Sequence, residues 1–218
     1  MANEESKSTP YTLADWSLVP GRTAIVCIDL QNDVLHKDGW YARSGVDISH
    51  MRRVIDPTRK LLDAARAKRV PIIWTRHGFR DERDGGVLYK LRPFLKDGGF
   101  RAGTWGWEIF GEFHVEKDDW IVNKNRLSAF YNTNLELILR GMGSETIIFT
   151  GVLTNQCVAA SSKDASFRDY KAIVVEDCTG TTLPELHAPT IQMIKVGWGE
   201  VKSLDQILKE IEKLPAGW

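Results

Sequence analysis

The sequence predicts an α/β fold: a mostly parallel sheet with helices on both faces. Three observations carry this. Short, nearly continuous apolar runs rich in β-branched residues recur along the chain, the mark of strands buried on both faces. Segments of helical spacing lie between them. The composition is that of one globular chain, with 218 residues, 43% of them apolar, and 29 Lys and Arg against 29 Asp and Glu. That apolar share fills a sizeable core. A formal charge of zero gives no long-range field towards a phosphate backbone or an anionic bilayer, so neither nucleic acid nor a membrane is expected as a partner.

Residues 1–19 read as an N-terminal tail of little periodicity and residues 20–218 as a single domain. The opening MANEESKSTP is polar and acidic where a secretory signal would be basic and then apolar. No stretch approaches the length of a membrane span. Cys27, Cys157 and Cys178 are odd in number and without CxxC spacing, which suits a reducing compartment. A cytoplasmic protein is expected. Strands are predicted at Thr23–Asp29, Val70–Thr75, Trp120–Lys124, Glu145–Gly151 and Lys171–Asp177. Between them, Asp56 and Pro57 read as N-cap and first residue of a helix bearing Leu61, Leu62 and Ala65 on one face. Further helices are predicted over Asn132–Gly141, Asn155–Asp169, Glu185–Lys195 and Leu204–Lys213. The connection from Arg76 to Asp119 has eight glycines, two tryptophans and no clear period. A stretch of that length without regular structure is usually functional or disordered, and its aromatics argue for packing over a pocket or at a subunit contact.

In an open parallel sheet, ligands sit beyond the carboxyl ends of the strands. Three residues are placed there: Asp29 at the end of the first strand, Lys124 at the end of the third, and Cys157 where the fourth gives way to a helix. Singly, each has a plainer use, as a turn residue, a solvated strand end or a small core side chain. Together they make a chemical set. A cysteine at a helix N-terminus beside an ammonium is expected to favour its thiolate. An aspartate can take the thiol proton, return it to a leaving amine and then activate water against a thioester. The turn in GVLTNQC supplies backbone N–H groups where an oxyanion would develop.

The segments AIVCIDLQND, VNKNRLSAFYNTNLELIL, TGVLTNQCV and VVEDCTGTT resemble the isochorismatase-like cysteine hydrolases, over about residues 20–205. The resemblance implies a Rossmann-like three-layer α/β/α sandwich and a catalytic triad of Asp29, Lys124 and Cys157 that works through a thioester. It also implies a cis peptide at Val152–Leu153, with the N–H groups of Leu153 and Cys157 forming the oxyanion hole, and a homo-dimer or homo-tetramer. Isochorismatases proper lack the nucleophilic cysteine, and the metal-holding Asp-x-His of nicotinamidases is missing from WTRHGFRDERDGG, so no metal and no cofactor are expected. What remains is an amidohydrolase of small amide, ureido or carbamoyl compounds, biuret- or ureidoacrylate-like. Leu127 and Val196-Gly197-Trp198 stand where those two branches carry an aromatic residue and a glutamine, which leaves the substrate open.

Substrate-binding candidates are Gln31, His36 and Trp40, which follow Asp29, then His77 after the second strand, and Phe130 and Tyr131, which follow Lys124. Cys27 and Cys178 are expected to pack as apolar side chains. Two alternatives stay open: a nicotinamidase-like or other small-amide hydrolase, and a metal-dependent phosphohydrolase using Asp29 and Asp33. The second is weakened because no phosphate-cradling glycine loop follows a strand.

Overall fold

The run Thr23–Ile28, buried at every residue, forms the central strand β1 in a computed structural model that describes residues 12–215. Most of the expected tail, residues 1–11, lies outside the described residues. On one side of β1 lie β2 (Ile72–His77) and then β3 (Trp120–Lys124); on the other lie β4 (Thr146–Val152), β5 (Lys171–Gly180) and β6 (Glu200–Lys202). Every pairing is parallel, in the order β3-β2-β1-β4-β5-β6. The chain therefore reverses its direction of travel across the sheet between β1 and β4. A crevice opens beyond their carboxyl ends at such a switch point.

Short helices α1 (Asn32–Leu35), α2 (Trp40–Arg43) and α3 (Ser49–Arg52) lead from β1 into α4 (Ile55–Ala67). The β2–β3 connection carries α5 (Leu88–Leu91), and β3 leads to α6 (Leu135–Gly141). Helices α7 (Ala159–Ser166), α8 (His187–Gly197) and α9 (Leu204–Lys213) complete the order. Successive strand residues point to opposite faces. Ile25 and Cys27 of β1 join one core with Leu61 and Leu62 of α4 and Ile207 and Ile211 of α9. Ala24, Val26 and Ile28 join the other, with Leu135 and Leu139 of α6, Ala165 of α7 and Ile191 and Ile194 of α8. No helix among the described residues is long and apolar enough to cross a membrane.

Several expectations need correcting. Helix α4 starts at Ile55, so Asp56 and Pro57 lie inside its first turn, where proline's missing N–H is no loss. Helix α6 starts three residues late, and Gly143, at φ +67°, follows its end. The segment read as one helix from Asn155 is a wide π-type turn, Thr154–Val158, followed by α7. Strand β3 is not buried on both faces: at the sheet edge, Trp120 and Ile121 are exposed. Strand β6 was not legible because it is three residues long with charged ends. Glu200 and Lys202 are nonetheless buried, where Lys202 Nζ lies 2.6 Å from Glu200 and 2.7 Å from Glu210. The Arg76–Asp119 connection is ordered by its aromatics, with Phe79, Tyr89, Phe100, Phe110 and Phe113 all buried.

Gly151 has φ +105°, and a Cβ there would sit 2.1 Å from the Ile28 carbonyl oxygen, one residue before Asp29. Any side chain would push β1 and β4 apart at the crevice. Gly151→Ala is expected to cost roughly 2–4 kcal/mol in urea denaturation, the sum of an overpacked contact and a strained left-handed residue. A loss below about 0.5 kcal/mol, the range of an unremarkable surface change, would show that this strand pair tolerates separation.

Candidate active site

Asp29 ends β1 in the left-handed region, at φ +52°, which short polar side chains adopt more readily than most. Thr75 of β2 holds it from two directions: its hydroxyl donates to Asp29 Oδ1 at 2.6 Å and accepts from the Asp29 backbone N–H at 3.0 Å. The other carboxylate oxygen, Oδ2, is 2.7 Å from Lys124 Nζ. Lys124 closes β3, in register with His77 of β2, and its side chain is fully buried. An ammonium has three N–H donors. Here Lys124 Nζ has Asp29 Oδ2 at 2.7 Å, the Arg126 carbonyl at 3.0 Å and Cys157 Sγ at 3.3 Å, with His77 Nδ1 at 3.4 Å beyond them. The carboxylate, the ammonium and the sulfur, spread over more than half the chain, thus meet at one rim of the sheet.

Cys157 reaches this point through the turn after β4. The Val152–Leu153 peptide is cis, and the Leu153 carbonyl accepts from Gln156 N–H at 3.0 Å and Val158 N–H at 3.2 Å, on either side of Cys157. Wide turns of this kind recur at functional sites. The expectation of a thiolate fails for the free protein. Burial pushes the Cys157 thiol up to about 12; Lys124 pulls it down, while the charge of Asp29 and its hydrogen bond to the thiol add to the rise. Lys124 is pulled down by burial, but Asp29 and then Cys157 outweigh this and leave it above the ordinary lysine value. His77 is held well below the usual histidine range by burial, then by Lys124, Arg92 and Arg126, so its imidazole is neutral.

A narrow cleft of about 370 Å³, counted out to its open mouth, runs down to Asp29 and Cys157. The walls are Val34, Tyr41, Leu95, Phe100 and Leu127, with His77, Arg92, Leu153 and Gln156 also facing in. Of the expected substrate contacts, only His77 is among them.

The others have work inside the fold. Gln31 is fully buried; its amide donates to the carbonyls of His77 (2.9 Å) and Trp107 (2.8 Å) and accepts from His77 N–H (2.8 Å), tying β1 to β2 and the long connection. His36 accepts from Asp38 N–H and packs edge-on against Trp105 and Phe110. Trp40 covers Gly98 and Gly99. Phe130 is buried in the same core as Cys157, stacked on Tyr170, without lining the cleft, and Tyr131 is 59% exposed. Asp33 accepts from the N–H groups of Trp40 (3.0 Å) and Phe100 (2.6 Å), a use inside the fold that weakens the phosphohydrolase alternative. Among the described residues, no group of three or more His, Cys, Asp or Glu side chains is gathered to hold a metal. Thr75, Tyr41, Arg92 and Gln156 were missed. Gln156 has a signal in standing beside Cys157; Arg92 lies in a connection whose sequence pattern is dominated by aromatics.

A family model described as the isochorismatase domain matches residues 23–206. The chain belongs to the isochorismatase-like cysteine hydrolase family. Ureidoacrylate amidohydrolase RutB of Agrobacterium fabrum is 31% identical over 204 residues, 87% of this chain and 90% of that protein. A cysteine hydrolase from Pseudomonas syringae pv. phaseolicola superposes with a TM-score of 0.86 at 28% identity, covering 94% of this chain and 99% of that one. N-carbamoylsarcosine amidase from Thermoplasma acidophilum shares the fold, with a TM-score of 0.70 at 24% identity over 84% of this chain and 97% of that one. The isochorismatase-like fold thus spans the sheet and every side chain of the cleft.

A thiol held at about 12 has under about 1% thiolate below pH 10. The ultraviolet thiolate absorbance of the wild type minus that of Cys157→Ala is therefore expected to stay flat from pH 6 to about pH 10 in the free enzyme. An absorbance step near neutrality would show that Lys124 outweighs burial and Asp29.

Proposed function

We propose that this chain is a cysteine-dependent amidohydrolase that cleaves the C–N bond of a small amide, ureido or carbamoyl compound through a thioester on Cys157. The observation that carries the reading is the Lys124 ammonium, within 2.7 Å of Asp29 Oδ2 and 3.3 Å of Cys157 Sγ at the foot of a cleft. The name of the RutB relatives, ureidoacrylate amidohydrolase, supports the bond type.

The chemistry follows from the protonation states. The resting thiol is neutral, so a base must act as it attacks. Asp29 takes the thiol proton while the sulfur bonds to the substrate carbonyl carbon. Charge builds on the carbonyl oxygen, which accepts from the backbone N–H groups of Leu153 and Cys157. The C–N bond then breaks, and Asp29 passes its proton to the departing nitrogen, which leaves as ammonia or an amine. Water enters, gives a proton to Asp29 and bonds to the acyl carbon. The C–S bond breaks and the sulfur recovers the proton. One water is consumed and the site is restored. Lys124 holds the carboxylate and sulfur in register throughout and offsets the negative charge as it passes from one to the other.

Cys157→Ala is expected to lower kcat by at least about 10³-fold, as for other covalent nucleophiles, with the urea midpoint little changed. Asp29→Asn is expected to stop acylation itself. Intact-mass spectrometry after mixing wild type and variant with biuret, ureidoacrylate, N-carbamoyl acids and simple amides reads both: an acyl adduct on wild-type Cys157 and none on Asp29→Asn. Turnover retained by Cys157→Ala would refute the covalent route.

A further inference from the structure

Arg92 presents an unmet charge. It stands between α5 and Pro93, with φ −137° and its N–H on the Leu88 carbonyl at 2.8 Å, so its backbone is held on both sides. Its side chain is half-buried and faces the cleft that holds Asp29 and Cys157. Every other half-buried arginine among the described residues has a carboxylate or carbonyl partner: Arg52, Arg66, Arg76, Arg101, Arg126 and Arg168. The Arg92 guanidinium has none among them.

The charges lining the cleft do not cancel. Asp29 is its one carboxylate and is matched by Lys124 at 2.7 Å. Cys157 is a neutral thiol and His77 a neutral imidazole. One positive charge, that of Arg92, is left over. Tyr41 adds a neutral donor: its side chain lines the same cleft, and its hydroxyl has no hydrogen-bond partner among the described residues. A guanidinium fork and a phenol hydroxyl lining one cleft supply donors of the kind that a carboxylate's two oxygens accept.

We propose that Arg92 is the specificity-determining residue of the cleft, and that the substrate is an anionic ureido or carbamoyl acid whose carboxylate it binds. This rests on the amidohydrolase reading and narrows it. A neutral substrate such as biuret leaves the guanidinium half-desolvated and unpaired, a cost that a carboxylate removes. Discrimination therefore comes from Arg92 at the wall, while the groups at the foot of the cleft act alike on charged and uncharged compounds.

The test uses compounds matched except for charge: N-carbamoylglycine, N-carbamoyl-β-alanine and ureidoacrylate, each against its N-methylamide, with biuret alongside. For wild type, kcat/KM for the accepted acid is expected to exceed that for its amide by roughly 10- to 100-fold, the range of a charge-assisted hydrogen bond. Arg92→Gln is expected to bring that ratio near unity by raising KM for the acid, Arg92→Lys to restore part of it, and the exposed control Arg69→Gln to leave it as in wild type. Preference of the wild type for biuret or the amides would overturn the proposal. So would an Arg92→Gln variant that slows acids and amides equally, which would place the guanidinium at the reacting carbonyl. If no compound of either kind acylates wild-type Cys157 by intact mass, the amidohydrolase reading itself fails and takes this one with it; an acylated Cys157 with no charge preference sinks only the role of Arg92.

Discussion

A buried ammonium is costly unless each of its protons has an acceptor and its charge a counterpart. Lys124 meets both conditions with three groups from three separate segments: the Asp29 carboxylate, the Arg126 carbonyl and the Cys157 sulfur. The rest of the site depends on that constraint. Remove any of the three and the ammonium is left short of a partner inside the protein, so the geometry that suits the lysine also sets the spacing between carboxylate and sulfur. The same contact explains why a thiol pushed up to about 12 is compatible with a nucleophile. In the proposed mechanism the sulfur does not wait as a thiolate; it is held where the proposed base and a counter-charge are both in place.

The sheet supplies the scaffold for this contact. Parallel strands bring their carboxyl ends to one rim, and the reversal between β1 and β4 leaves a gap there. Asp29 and Thr75 come from adjacent strands, Lys124 extends past β2 from β3, and the turn after β4 brings Cys157 back over the gap. The polar residues after Asp29 serve this arrangement from behind. Gln31 ties β2 and the long connection to β1, and Asp33 fixes the connection through Phe100 N–H. The connection in turn supplies Arg92, Leu95 and Phe100 to the cleft wall. In the proposed reading the reacting groups sit at the strand ends and the turn after β4, and selectivity sits on the irregular segment, as expected where a rigid scaffold carries a variable loop.

What the sequence made legible follows the strength of the local signal. β1, β3 and α9 were readable nearly to the residue, because β-branched runs and the spacing of Ile207 and Ile211 have one good interpretation each. Asp29, Lys124 and Cys157 were legible as a set because each ends or follows a recognisable strand. Strand β6 was hidden because its burial rests on the Glu200–Lys202–Glu210 ion cluster and not on apolar residues. The substrate contacts failed for a related reason. Proximity in sequence to Asp29 or Lys124 does not say which way a side chain turns. Gln31 and Phe130 turn into the fold, while Arg92, 32 residues before Lys124, faces the cleft. The raised thiol of Cys157 is not legible from a helix end and a lysine alone, because the burial that outweighs them exists only in the packed fold.

The central claim is that Asp29 and Lys124 act as one unit on the sulfur. Its most direct test is the double-mutant cycle of Asp29→Asn and Lys124→Gln, read as kcat/KM on a compound that wild type turns over. Residues that act as a unit are non-additive, and removing both members of a buried pair spares the fold the stranded charge that either single change leaves. The double variant is therefore expected to be no slower than the worse of the two single variants. A double variant slowed by the product of the two single losses would show that carboxylate and ammonium contribute independently, and would contradict the account.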